Sequence, residues 1–120
     1  MDRRTFLAAA AGGAGLLVLP SLAKAQTGLT VEEVLRDPQA PVLGNKNGDV
    51  TVVEYFDYQC PFCKKGHEGV VNAVRADGGV RLVMKDWPIF GAVSVRASQL
   101  VLAAQGSGHY AAAMDALMAT

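Results

Sequence analysis

Val50-Thr51-Val52-Val53-Glu54-Tyr55-Phe56-Asp57-Tyr58-Gln59-Cys60-Pro61-Phe62-Cys63 joins a β-branched, apolar run to the chain's two cysteines. The run from Asp49 or Val50 to Asp57 is apolar on both faces, the pattern of a strand buried between two layers in a parallel α/β sheet. Glu54 interrupts it, and a carboxylate there must be paired, hydrated or protonated. The residues after Cys60 have helical spacing, so the cysteines fall at a strand-to-helix junction. There the Cys60 sulfur lies among unpaired backbone N–H groups at the positive end of the helix. Pro61 suits the first helical position, having no N–H to leave unsatisfied. Cys63, one turn on, faces the same way and can close a ring with Cys60. This arrangement makes Cys60 the exposed nucleophile and Cys63 the more buried, resolving thiol.

The chemistry such a pair serves is thiol–disulfide exchange. A thiolate attacks disulfides, and in such motifs the thiol pKa falls from about 8.5 to between roughly 3.5 and 7. At about 1.4 kcal/mol per unit, this favours the reduced form by roughly 2 to 7 kcal/mol. The disulfide becomes more oxidising by about 30 mV per 1.4 kcal/mol. Pro61 and Phe62, together with their surroundings, thus tune whether the site oxidises, reduces or isomerises. Two other readings remain. An idle Cys-x-x-Cys bridge closes too small a loop to stabilise much. Half a zinc site would need ligands from a second chain, because His67 and His109 lack finger spacing. For Glu54 the alternatives are a buried acid–base serving the cysteines and a carboxylate paired with Lys85 or another cation at the strand end. Lys64 and Lys65 either lower the cysteine pKa or form a solvated helix face. His67 reads as a helix-face residue and His109 as a helix-start residue.

Working outward, Cys63 to Ala76 is predicted helical, with Cys63, His67, Val70, Val71 and Val74 on its inner face. Gly66 and Gly69 weaken that helix and leave room for close packing on the strand. Asp77-Gly78-Gly79 ends it, and Val80-Arg81-Leu82-Val83-Met84 is a second strand, completing a parallel βαβ unit. Lys85-Asp86-Trp87-Pro88-Ile89-Phe90-Gly91 is a loop whose large apolar side chains are expected to cover something. Ser94 is the candidate cap of a helix running to Gln105, stopped by Gly106. A last helix begins near Gly108, with Tyr110, Met114, Leu117 and Met118 along one face. Upstream, Thr30-Val31-Glu32-Glu33 has the capping-box pattern of a short helix whose apolar face is Val31, Val34 and Leu35. Asp37-Pro38 closes that helix. Pro41 to Gly48 is expected to be an extended connector ending in an Asn45–Gly48 turn.

Residues 1–25 read as an export signal. Arg3 and Arg4 precede an uncharged stretch of 14 residues, Phe6 to Leu19, and Ala23-Lys24-Ala25 is a small-x-small cleavage site. That stretch is short of the roughly 20 residues that span a bilayer as a helix, the requirement of a retained anchor. Arg3-Arg4-Thr5-Phe6-Leu7 resembles the twin-arginine motif; an ordinary secretory signal is the alternative. Of the 120 residues, 11 are basic and 11 acidic, and removing Arg3, Arg4, Lys24 and Asp2 with the signal leaves 8 against 10. A net charge that close to zero argues against nucleic acid or an anionic membrane as partner. Two cysteines in an oxidising compartment can pair. No Gly-rich phosphate loop, cofactor pattern or metal-ligand set is present, so no cofactor is expected.

The run Val53 to Lys65 resembles the DsbA-like family of bacterial periplasmic thiol–disulfide oxidoreductases, whose pattern is a strand with Glu and Phe followed by Cys-Pro-x-Cys. The resemblance extends to the turn Asn45–Asp49 and to the strand end Val83-Met84-Lys85-Asp86-Trp87-Pro88, and covers about residues 30–120. It implies an α/β, thioredoxin-like fold with a helical insertion beginning near Ser94. It also implies Cys60 as nucleophile, Cys63 as resolving cysteine and Glu54 as the buried acid. Expected partners are exported proteins carrying thiols or disulfides and a membrane redox partner, in the periplasm. Oxidase is favoured over isomerase or reductase, although Phe62 stands where the strongly oxidising prototype has histidine. The family continues past its helical insertion with two strands, a helix and a cis-proline loop facing the cysteines. None of Pro20, Pro38, Pro41, Pro61 and Pro88 has that context, so the C-terminal strands are expected to be missing. The expected organisation is a signal at 1–25, a helix and connector at 26–48, and a partial thioredoxin-like domain at 49–120. The alternative from another class is a non-catalytic exported binding module.

Overall fold

The computed structural model describes residues 28–120. The export signal assigned to residues 1–25, with Arg3 and Arg4, lies outside them. Thr30 caps α1 (Val31–Leu35) through the capping box its sequence calls for: its N–H donates to Glu33 Oε2 at 2.8 Å and its Oγ1 accepts the Glu33 N–H at 3.2 Å. Val34 and Leu35 are half-buried, but Val31, expected on the same face, is 73 % exposed. A five-residue helix makes little more than one turn, and here only its C-terminal end is tied to the sheet, by the Arg81 guanidinium on Leu35 O.

The expected connector contains a strand. β1 (Val42–Gly44) pairs antiparallel with β3 (Val80–Asp86), Leu43 lying opposite Leu82. β2 (Val50–Phe56) pairs with β3 in parallel, with Glu54 opposite Met84 and Phe56 opposite Asp86. The sheet order is β1-β3-β2, so β2 lies at an edge among the described residues. β3 holds the centre: Leu82 and Val83 are fully buried and Met84 nearly so, whereas Val50, Val52 and Tyr55 of β2 are 42–51 % exposed. The continuous apolar run of β2 is therefore half covered among the described residues, because α2 (Pro61–Asp77) packs on β1 and β3.

α2 spans the expected βαβ crossover and starts two residues earlier than its periodicity indicated, at Pro61. Gly78 ends it in the left-handed region at φ 75°, where a side chain would be strained. Of the inner face read from the sequence, His67 and Val74 are buried, Cys63 and Val71 partly so, and Val70 is exposed. Gly66 and Gly69 have open space where a Cβ would sit, so they face away from the sheet rather than packing on it. α3 (Ala92–Ala103), a 3₁₀ turn (Gln105–Ser107) and α4 (Tyr110–Met118) complete the described chain. Leu82 and Met84 meet Val74 of α2, Val101 of α3, and Met114 and Met118 of α4 in one core.

Two further expectations need correcting. Ser94 is no cap: α3 begins at Ala92 behind Gly91, and Ser94 is 1 % exposed inside it. The large residues of the loop before α3 do not cover the core either. Trp87, Ile89 and Phe90 are 53–63 % exposed, and Trp87 stands edge-on to the Tyr55 ring at 5.7 Å.

The junction between β1 and the Asn45–Gly48 turn is tight. Gly44 has φ 72°, and a Cβ there would lie 2.5 Å from Val74 Cγ1 and 2.6 Å from Val80 O. Gly44→Ala therefore combines backbone strain with a clash against β3, and we expect it to cost about 3 kcal/mol. Urea unfolding checks this: Gly66→Ala, in open space, should leave stability unchanged or raise it slightly.

Candidate functional site at the Cys60 helix start

The site forms where β2 runs out. The chain turns at Asp57–Cys60, held by the Cys60 N–H on Asp57 O at 3.1 Å, and the first helical bond of α2 follows from Lys64 N–H to Cys60 O at 3.0 Å. Cys60 is the N-cap, with no side-chain cap bond, and Pro61 occupies the first helical turn. The sulfur is thus free of competing side-chain work while the helix start presents N–H groups to it. Its proton affinity is lowered, chiefly by the Cys63 N–H, then by the Cys63 thiol and the Phe62 N–H, against small opposing effects of burial and the Asp57 charge. Burial instead pushes the Cys63 thiol up; the Cys60 thiol and the charges of Cys60 and Glu54 add to this, and only a backbone contact at Asp57 opposes it. The two cysteines are unlinked. Phe62 points into solvent, 84 % exposed.

Glu54 is half-buried on β2, and its Oε2 is buried without a hydrogen-bond partner. Burial raises its proton affinity above the ordinary carboxylate range, opposed by the charge of His67. The pairing with Lys85 weighed for it does not form: Lys85 Nζ is 2.5 Å from Asp37 Oδ2. In the parallel register successive side chains alternate faces, so Glu54 and Lys85 leave the sheet on opposite sides. Of the helix cations, Lys64 bonds to Thr120 Oγ1 at 3.3 Å and Lys65 is exposed. His109 is the N-cap residue of α4, the helix-start role read for it, and its Nδ1 is 3.1 Å from Ser107 Oγ. Among the described residues no three His, Cys, Asp or Glu side chains converge as metal ligands.

Sequence reasoning passed over the residue that anchors this corner. Asp57 is 3 % exposed. Its Oδ1 accepts from Gln59 N–H at 2.7 Å and Ser94 Oγ–H at 2.8 Å; its Oδ2 accepts from Ile89 N–H at 2.7 Å and Phe90 N–H at 3.3 Å. Burial by itself would raise its pKa, but these four donors outweigh it and hold the carboxyl below its usual range. One side chain thereby ties the cysteine loop to the loop after β3 and to α3. The Asp57-Tyr58-Gln59 Asx turn is legible in sequence as the pattern of a turn residue bonding its own backbone two positions on. The distant donors are not. Asp86 and Tyr58, also unremarked, face inward near Tyr110. Burial raises the proton affinity of the Asp86 carboxyl, and Ser98 opposes this without a bond of ordinary geometry.

The family model described as Thioredoxin matches residues 36–120. A thioredoxin-like oxidoreductase from Silicibacter pomeroyi DSS-3 is 48 % identical over 77 % of this chain and 53 % of its own, with a TM-score of 0.74. A periplasmic thioredoxin-like protein from Salmonella enterica serovar Typhimurium is 27 % identical over 74 % and 52 %, TM-score 0.71. The thiol-disulfide exchange protein α-DsbA2 from Wolbachia pipientis is 26 % identical over 72 % and 47 %, TM-score 0.57. The chain spans about half the length of these structures, in line with the absence of the family's later strands from residues 28–120. No curated protein matches it. The matched span, the sheet order and a Cys-Pro-Phe-Cys helix start agree, and the likeness extends to DsbA-type structures: this chain belongs to the thioredoxin family.

Proposed function

We propose that the chain carries the redox half of a periplasmic thiol–disulfide oxidoreductase acting on exported proteins, in the oxidising direction. The observation that carries this reading is the placing of two thiols one helical turn apart at the start of α2, Cys60 as its N-cap and Cys63 behind it, an arrangement that lowers the proton affinity of Cys60 and raises that of Cys63. In the oxidising cycle a substrate thiolate attacks Cys60 Sγ of the Cys60–Cys63 disulfide. A substrate–Cys60 bond forms, the bond to Cys63 breaks, and Cys63 leaves as a thiolate that takes a proton from Glu54. A second substrate thiolate then attacks the first substrate sulfur, and Cys60 leaves as a thiolate. The substrate loses two electrons as its thiols become a disulfide, and the Cys60–Cys63 pair gains them. A thiol stabilised as thiolate is a good leaving group and favours the reduced form, which makes the disulfide oxidising.

The export-type start at residues 1–25, read as twin-arginine, and the likeness to a periplasmic protein support that compartment. A membrane redox partner would return the dithiol to the disulfide. Titration of the full-length protein against glutathione tests the direction: a potential near thioredoxin's, about −270 mV, would overturn the oxidase assignment in favour of a reductase. Phe62→His sharpens the same measurement. Phe62 is 84 % exposed, so the exchange disturbs little packing, and an imidazolium beside Cys60 further stabilises its thiolate. We expect the potential to rise by about 30 mV or more.

A further inference from the structure

His67 lies one turn beyond Cys63 on α2 and is only 6 % exposed. A histidine buried to that depth needs partners for its ring nitrogens. Nε2 has one, Asp115 Oδ1 of α4 at 2.7 Å. A carboxylate accepts, so Nε2 carries the hydrogen, and in the neutral ring Nδ1 offers a lone pair. Nδ1 is buried with no hydrogen-bond partner, and so is Glu54 Oε2 on β2. Glu54 lies opposite Met84, which packs in the core with Val74 of α2 and Met114 of α4, so both orphaned atoms lie on the face of the sheet that α2 and α4 cover. On its other side His67 reaches water: the Asp115 side chain is 58 % exposed, and both residues line a cleft of about 280 Å³ between α2 and α4. The remaining charged groups at that cleft are Lys64, Glu68 and Arg75, all on α2.

We infer that His67 and Asp115 carry the proton of Glu54 between buried Cys63 and the solvent in the α2–α4 cleft. The inference rests on the exchange reading above and deepens it, with His67 a positioning residue that acts through Glu54. On re-oxidation of the pair, Glu54 takes the Cys63 thiol proton and one proton passes to His67 Nδ1. The ring gives up its Nε2 proton to Asp115 and then to water. On reduction the transfers reverse: water resupplies Nε2, the Nδ1 hydrogen goes to Glu54, and Glu54 protonates the departing Cys63 thiolate. The ring holds the same number of hydrogens after each half-cycle and only its tautomer alternates, so one half resets the other.

The test uses the full-length protein, reduced by dithiothreitol from pH 6 to 8, with free thiols trapped at each time point. We expect His67→Gln to slow the reaction at least about tenfold, less than loss of a group at the reacting atom would. Its equilibrium potential against glutathione should stay at the wild-type value, and added imidazole should restore the rate. Asp115→Asn keeps an acceptor for Nε2 without a proton-accepting carboxylate, and its exposure spares the core; it should show the same imidazole-dependent loss. Wild-type rates in both variants, without imidazole dependence, overturn the inference and leave the exchange reading intact. No reaction in the wild type overturns both. Should His67→Gln fail to fold, Asp115→Asn decides alone.

Discussion

Cys60→Ser in the full-length protein should abolish the proposed disulfide formation in a reduced model substrate, an expected loss on the order of 10³-fold or more, as removal of a covalent nucleophile would produce. The substitution isolates chemistry from folding unusually well. Cys60 is half-exposed and makes no side-chain cap bond, so little packing is lost. Serine is moreover a preferred N-cap, and its hydroxyl accepts the N–H groups the sulfur now faces. Stability should hold or rise slightly while exchange disappears, which a folding defect cannot imitate. Cys63→Ser separates the two thiols. The remaining Cys60 still attacks a disulfide, but nothing resolves the product, so a mixed disulfide accumulates that non-reducing gels detect. Equal turnover by Cys60→Ser and wild type would end the redox assignment and favour a binding module.

The parts of this site that were legible in sequence are those set by local chemistry. Cys60, Pro61 and Cys63 occupy the cap, first turn and second contact of one helix, and the Thr30–Glu33 capping box is likewise local. Both depend on positions a few residues apart, where spacing alone fixes geometry. β1 was read as connector because three residues carry no usable periodicity; only β3 turns them into a strand. β2 is expected between two layers because an apolar run reports what a strand can bury, not which neighbours cover it. The fate of Glu54 was open for the same reason. Whether Lys85 meets it depends on sheet face, and the segment after α1 supplies Asp37 as the competing partner. His67 likewise needed α4, 48 positions away, before its ring had a second function to perform.

Asp57→Ala should be the most destabilising substitution at the site, about 4 kcal/mol. The carboxylate accepts four hydrogen bonds, and removing it strands their donors. Gln59, Ile89 and Phe90 are exposed residues whose N–H groups can recover water, but Ser94, 1 % exposed, cannot. A buried donor left unpaired costs about 1–3 kcal/mol, and each lost bond to a charged acceptor about 1.5–3, partly recovered where water enters. Asp57→Asn keeps an acceptor for one side but turns a donor toward the Ile89 and Phe90 N–H groups, or toward Ser94, and should cost about half as much. The pH dependence gives the independent check. The folded carboxyl is held below its ordinary pKa, so its charge stabilises the fold fully above the unfolded value of about 3.9. That contribution is lost as pH falls through the unfolded value toward the folded one. The stability difference between wild type and Asp57→Asn, measured by urea unfolding, should therefore be constant from pH 7 to about 5 and shrink below about 4. A difference that stays constant through acid would mean that the shape of Asp57, not its charge, holds the cysteine loop to Ile89, Phe90 and Ser94.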